Sequence, residues 1–192
     1  MLQVGVSWSE QTDAFLAGKE AAGKALASLG ASPGFALAFC TVGYDEARFL
    51  AGIGEAVGPV ALMGATSFTG VLTPAGFLHA EQGAGAVMLL ASAEMAFGVG
   101  AAEIGDDPEA AGEKAAREAV AQARRSPSDP VSAFLLVAPP GAEERLIRGV
   151  ECVVGRAPMI GGSAADNSLE GRWKTCGEKS RGSLSEFGRD ET

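Results

Sequence analysis

Two stretches of this chain read alike, and that likeness constrains the fold more than any single motif. Residues 35–67, FALAFCTVGYDEARFLAGIGEAVGPVALMGATS, lie beside residues 133–165, AFLLVAPPGAEERLIRGVECVVGRAPMIGGSAA, with an offset of about 97 residues. The aligned pairs are punctuation residues: Gly43 with Gly141, Asp45 with Glu143, Gly52 with Gly149, Gly58 with Gly155 and Gly64 with Gly162. Apolar runs flanking a helix recur by chance more readily than five caps and turns in one order do. Two units are too few for a solenoid and point to a pseudo-two-fold domain.

Each unit carries the same elements. Residues 4–8 and Phe35–Thr41 are apolar runs of strand length, the second continuous enough for a strand covered on both faces. Between them a helix is capped by Thr12 or Asp13 and closed by Gly30. Asp45 opens a second helix with Phe49, Leu50, Ile53 and Val57 on its buried face, and Gly58-Pro59 stops it. Residues 60–63 form a third strand leading into the loop GATSFTG. The pattern restarts after residue 96. Asp106-Asp107-Pro108 caps a long helix reaching Arg125, residues 133–138 make a strand, and Glu143–Val154 make a helix. Residues 158–160 then form a strand leading into GGSAADN. Between the units, 85–91 and 96–102 read as a hairpin turning at 92–94. The expected architecture is α/β: internally duplicated β-α-β-α-β units with a central β-hairpin, in mixed sheets flanked by helices. One domain spans 1–173, with halves at about 3–70 and 96–167 and a connection at 71–102. The segment 174–192 is Gly-, Ser- and charge-rich without apolar periodicity, and is expected to be an unpacked, disordered tail.

The net charge of −9 belongs to the body, because residues 168–192 carry five charges of each sign. An acidic body argues against nucleic acid and against an anionic membrane surface as partners, since both need basic protein surface. The N-terminus has no signal-peptide pattern, and Glu94 interrupts the most apolar stretch. Cys40, Cys152 and Cys176 form no CxxC and no disulfide framework, which favours a reducing cytoplasm. No metal site or cofactor is expected. The chain has one histidine, no Gly-Lys-Ser/Thr loop, and no G-x-G-x-x-G opening a helix after the first strand. Gly161-Gly162-Ser163-Ala164-Ala165 nearly matches a nucleophile elbow, but no histidine follows Ser163. Cys40 at a strand end is either a thiol nucleophile or a buried inert cysteine, and Cys152 reads as core. No catalytic residue is assigned.

The two strand-end loops, 64–70 and 161–167, are the candidate ligand site. In α/β folds ligands gather beyond the carboxyl ends of strands. Gly64, Gly161 and Gly162 permit close backbone approach, while Thr66, Ser67, Ser163, Asp166 and Asn167 supply hydroxyls, a carboxylate and an amide. Glu81, with His79 two residues before it, adds a second carboxylate able to meet an ammonium group together with Asp166. The same residues suit tight turns that cap their own backbone, and the sequence leaves both readings open.

VGVSWS near the start, AGKEAAGKAL, FALAFC with Tyr44-Asp45, GATSFTGVL, Glu81 before GAGAVMLL, and PMIGGSAADN form an ordered set over about residues 3–173. In these the chain resembles the N-terminal half of the FIST domain family, a sensory domain of bacterial signalling proteins that also occurs in an F-box protein. The resemblance implies a cytoplasmic input domain in signal transduction that binds a small metabolite, with amino acids the suggested class, and no established catalytic residues. Family members continue into a C-terminal half, whereas here the texture changes after Trp173. A truncated or frame-shifted reading frame is one expectation, and a half that pairs with a separate FIST C-terminal half or signalling protein is another. An interaction or scaffold module is the alternative function, and a cysteine-dependent enzyme the weaker one.

Overall fold

The structure, a computed structural model, describes residues 1–168, 170–179 and 183–188. The chain runs β1 (Gln3–Ser9), α1 (Ala14–Leu29), β2 (Phe35–Thr41), α2 (Glu46–Val57), β3 (Ala61–Ser67), β4 (Val71–Thr73), β5 (Gly76–Leu78), β6 (Gly85–Ala91), α3 (Pro108–Gln122), β7 (Phe134–Ala138), α4 (Glu143–Val154), β8 (Met159–Ser163), β9 (Lys174–Lys179) and β10 (Ser183–Gly188). Helix starts follow local chemistry. Asp13 Oδ1 accepts from the Leu16 N–H at 3.0 Å, and Asp45 Oδ1 from the Arg48 N–H at 3.0 Å. Gly30, at φ 67°, closes α1 in the left-handed conformation that glycine adopts without strain.

A six-stranded mixed sheet has the order β1-β6-β2-β3-β9-β10. Only β2 and β3 are parallel; β6 runs antiparallel to both β1 and β2. Alternation sorts the side chains of this sheet. Ala36, Ala38, Cys40, Leu62, Val87 and Leu89 pack under α1 and α2. Phe35, Leu37, Ala61 and Leu90 face the other way, onto Phe97, Val99 and Leu135. Behind these lie the parallel pair β7-β8 and then α3 and α4, which bury Ala111, Leu146, Val150 and Val153. The result is four layers: a helix pair, two β layers face to face, and a second helix pair.

Glycine sets how closely the helices approach. A Cβ at Gly18 of α1 would lie 2.0 Å from the Phe49 carbonyl oxygen, and one at Gly112 of α3 would lie 2.3 Å from that of Leu146. In the partner helices, Gly52 stands 2.1 Å from the oxygen of Phe15 and Gly149 stands 2.0 Å from that of Glu109 by the same measure. Gly64 meets Ala38 O and Gly161 meets Leu136 O, at 1.8 and 2.0 Å. The close backbone contact in β8 thus falls at Gly161 and not at Gly162, the residue aligned with Gly64 in the sequence.

Four expectations are corrected. The central hairpin does not form: 96–102 makes no ladder with β6, whose two edges are already taken by β1 and β2. Instead Gly98 and Gly100 lie against the backbone of α3, and Phe97 stacks on Phe35 with ring centroids 5.9 Å apart. The loops expected to begin at 64 and 161 begin later, because Gly64–Ser67 and Gly161–Ser163 remain in the β2-β3 and β7-β8 ladders. Residues 174–179 and 183–188 are strands, and β9 pairs with β3 antiparallel, so the polar composition did not prevent edge pairing. The rest of the expected tail, 180–182 and 189–192, lies outside the described residues. Cys152 is exposed, because the buried stripe of α4 is Leu146, Gly149, Val150 and Val153. Among the described residues, no helix is long and apolar enough to cross a membrane.

Candidate functional site

The ends of β3 and β8 are brought together by backbone hydrogen bonds. The Ala165 N–H donates to Thr66 O at 3.0 Å, and Asn167 Oδ1 accepts from the Thr69 N–H at 2.9 Å. The two strand-end segments singled out in the sequence therefore meet. Asp166, however, does not offer its carboxylate to an open site. It is 4% exposed, and it accepts from the Ser168 and Arg172 N–H groups at 3.1 and 2.7 Å. That is the local backbone capping the sequence also allowed. Ser67 Oγ likewise donates to Gly70 O. Ser163 donates to Glu143, which also accepts from the Gly141 N–H at 2.9 Å. The Ser163 hydroxyl, with the backbone N–H groups around the start of α4, holds the Glu143 carboxyl below its ordinary range. Gly162 opens onto free space, and Glu81 is exposed. His79 instead hydrogen-bonds Thr69 O and stacks on Phe77.

A small, largely apolar recess near these segments lies on the other face of β3, under α2, walled by Ala38, Phe49 and Leu50 with a few polar groups at its rim. Thr66 points into it from β3, Cys40 from β2, Cys176 from β9 and Glu46 from the first turn of α2. Lys174 closes it by an ion pair with Glu46. Thr66 is buried, and its Oγ1 accepts from the Lys174 N–H at 2.9 Å. The recess holds about 20 Å³, room for a water and no more. Glu46 is 19% exposed and Lys174 39%, so the pair forms a lid only partly shielded from solvent.

Burial pushes the Cys40 thiol strongly up, and the neighbouring Cys176 and Glu46 add to this. A thiol held protonated is a poor nucleophile. Among the described residues, no group of three or more His, Cys, Asp or Glu side chains is arranged to hold a metal ion. Of the residues named from sequence as ligand contacts, Thr66 alone lines the recess. Sequence reasoning misses Glu46, Lys174 and Cys176. Glu46 follows the cap Asp45 and reads as an ordinary first-turn acid, and the other two sit in a segment whose composition suggests a tail.

The model of the FIST N domain family matches residues 34–184. The chain belongs to the FIST N family. FIST domains are sensory domains of signal transduction. The matched span of this FIST N domain holds both strand-end segments and every polar residue of the recess, while β1 and α1 precede it. No curated protein matches the chain.

Proposed function

We propose that this FIST N domain is the cytoplasmic sensing module of a signalling system, and that it takes a free amino acid or a similar zwitterion at the Thr66 recess. The observation that carries this is the Glu46–Lys174 pair over a recess lined by the buried Thr66 hydroxyl. The pair offers one charge of each sign. A zwitterion can replace it group for group, carboxylate on Lys174 and ammonium on Glu46, without leaving either charge unpaired. At about 20 Å³ the closed recess is too small for any amino acid, so binding requires the lid to part. Thr66 O holds Ala165 of the other strand-end segment, and a displacement at Thr66 is thereby passed to the second half of the domain. The raised, buried Cys40 thiol does not favour an enzyme.

Thermal melting against a panel of free amino acids tests the reading. Ligand at a hundredfold excess over Kd adds about 2.7 kcal/mol, a rise of roughly 5–10 °C for a domain of this size. Glu46→Gln and Lys174→Met should each abolish the shift. Flat melting across the panel, or a shift that both variants keep, overturns it.

A further inference from the structure

We propose that the second β layer contains a docking slot for an extended strand from a partner protein, between residues 97–101 and β7. This inference is independent of the ligand site. The first half of the molecule shows what fills such a slot. There β6 lies between β1 and β2, antiparallel to both. In the second half the flanking elements are held in the same way. A Cβ at Gly5 of β1 would lie 2.2 Å from Ala25 O of α1, and one at Gly98 would lie 2.0 Å from Ala119 O of α3. The helix pairs are clasped by the matching glycines Gly18 with Gly52 and Gly112 with Gly149. Strands hung alike on alike helix pairs would leave between 97–101 and β7 the same room that lies between β1 and β2. That room is two strand spacings, or about 9.5 Å, the width one inserted strand needs.

Among the described residues no strand occupies that gap, and β7 pairs with β8 alone. The Phe134 N–H donates to Pro158 O, and Ala138 O accepts from the Ala164 N–H, so residues 134, 136 and 138 bond toward β8. Alternation turns the N–H and C=O groups of Leu135 and Val137 to the opposite edge, toward the gap. Burial agrees. Phe35, Ala36, Leu37 and Ala38 of β2 are buried, whereas Phe134, Leu135, Leu136 and Val137 of β7 are half-exposed. Ala21 and Ala25 of α1 are fully buried, whereas their counterparts Ala115 and Ala119 of α3 are not. Lacking a strand partner, the N–H groups of Val99 and Ala101 are taken by the Gln122 and Glu118 side chains. Gln122 Nε2 is left buried with no partner among the described residues.

The occupant follows from β6. It is about seven residues long, antiparallel to β7, free of proline, and apolar on both faces, as Val87 and Leu89 are on one and Met88 and Leu90 on the other. A strand enclosed this way removes on the order of 800 Å² of its own surface from water, the amount one side of a stable interface buries. Main-chain bonds supply affinity and the alternating pockets supply selectivity.

The test uses the full chain and a synthetic peptide of sequence GAVMLLA flanked by lysines, with amide exchange read by NMR. The peptide should slow exchange at Leu135 and Val137 by at least about tenfold, leaving Leu136 little changed. A peptide with proline at its central methionine should do nothing. Val137→Pro removes only an N–H that faces the gap, a change edge strands tolerate, and should abolish protection at Leu135. If that variant fails to fold, the proline peptide alone decides. Absence of protection at millimolar peptide, protection by the proline peptide, or changes confined to β1 and its neighbours through exchange with β6 would each overturn the proposal.

Discussion

Gly52 of α2 faces the carbonyl oxygen of Phe15 on α1 so closely that a Cβ there would stand 2.1 Å away. The helices can cross at this distance only because that hydrogen is not a methyl group. Gly52→Ala and Gly149→Ala should each cost about 1–3 kcal/mol or more through overpacking against rigid backbone. The melting temperature should fall by roughly 2–12 °C. Gly23 and Gly54 sit on the same two helices, where an added methyl would meet nothing within 4 Å. Gly23→Ala and Gly54→Ala should instead stabilise by about 0.5–1 kcal/mol through helix propensity. Thermal unfolding of the four variants checks the contrast, and equal effects at all four would refute the close crossing.

Tyr44 is the only tyrosine, so its tyrosinate absorbance reads one site. Burial, helped by Cys40, Glu10 and Glu20, pushes its hydroxyl up to about 12. The hydroxyl donates to Gln11 O at 2.6 Å. A pKa raised on folding means that the stability it contributes is fully present below the unfolded value of about 10. That contribution is lost as pH rises through the folded value near 12. Spectrophotometric titration should find the tyrosinate band delayed relative to the denatured chain. Tyr44→Phe should lower stability at neutral pH by about 1 kcal/mol, the worth of one hydrogen bond.

The elements legible in the sequence are those whose signals are local. Asp45 with Gly58 bounds α2, Phe35–Thr41 is a strand at its predicted limits, and Glu143–Val154 is a helix at its predicted limits. What could not be read depends on partners distant in sequence. Residues 96–102 alternate like a strand, yet β6 has no free edge to offer them. Lys174 and Cys176 enter the recess only because β9 finds the edge of β3. No periodicity within KTCGEK announces that pairing. Of the candidate site, Thr66 was legible as a hydroxyl at a strand end, whereas its Glu46–Lys174 lid joins residues too far apart for any spacing rule to connect.

The cysteines make a graded series. Cys152 is exposed, Cys176 is half-buried and Cys40 is 5% exposed, with its thiol pushed up by burial. Thiol labelling at neutral pH should proceed in the order Cys152, Cys176, Cys40, and Cys40 should react only as fast as the domain opens. Mass spectrometry of partially labelled protein reads the order directly. Fast labelling of Cys40 would reinstate it as a candidate nucleophile.

Asp166 decides whether the GGSAADN segment is an anchor or a ligand contact. Its buried carboxylate accepts from two backbone N–H groups, at Ser168 and Arg172. Asp166→Asn keeps the shape but replaces one acceptor with a donor, so an N–H group of the segment meets another N–H. An unsatisfied buried donor costs about 1–3 kcal/mol, and melting should fall by roughly 2–12 °C. If the segment only positions Ala165 against Thr66, the variant should keep the shift given by a binding amino acid, and the loss should be one of stability alone. If the carboxylate itself meets the ligand, Asp166→Asn should erase that shift as completely as Glu46→Gln. The geometry favours the first outcome, because both carboxylate oxygens already serve the chain's own backbone.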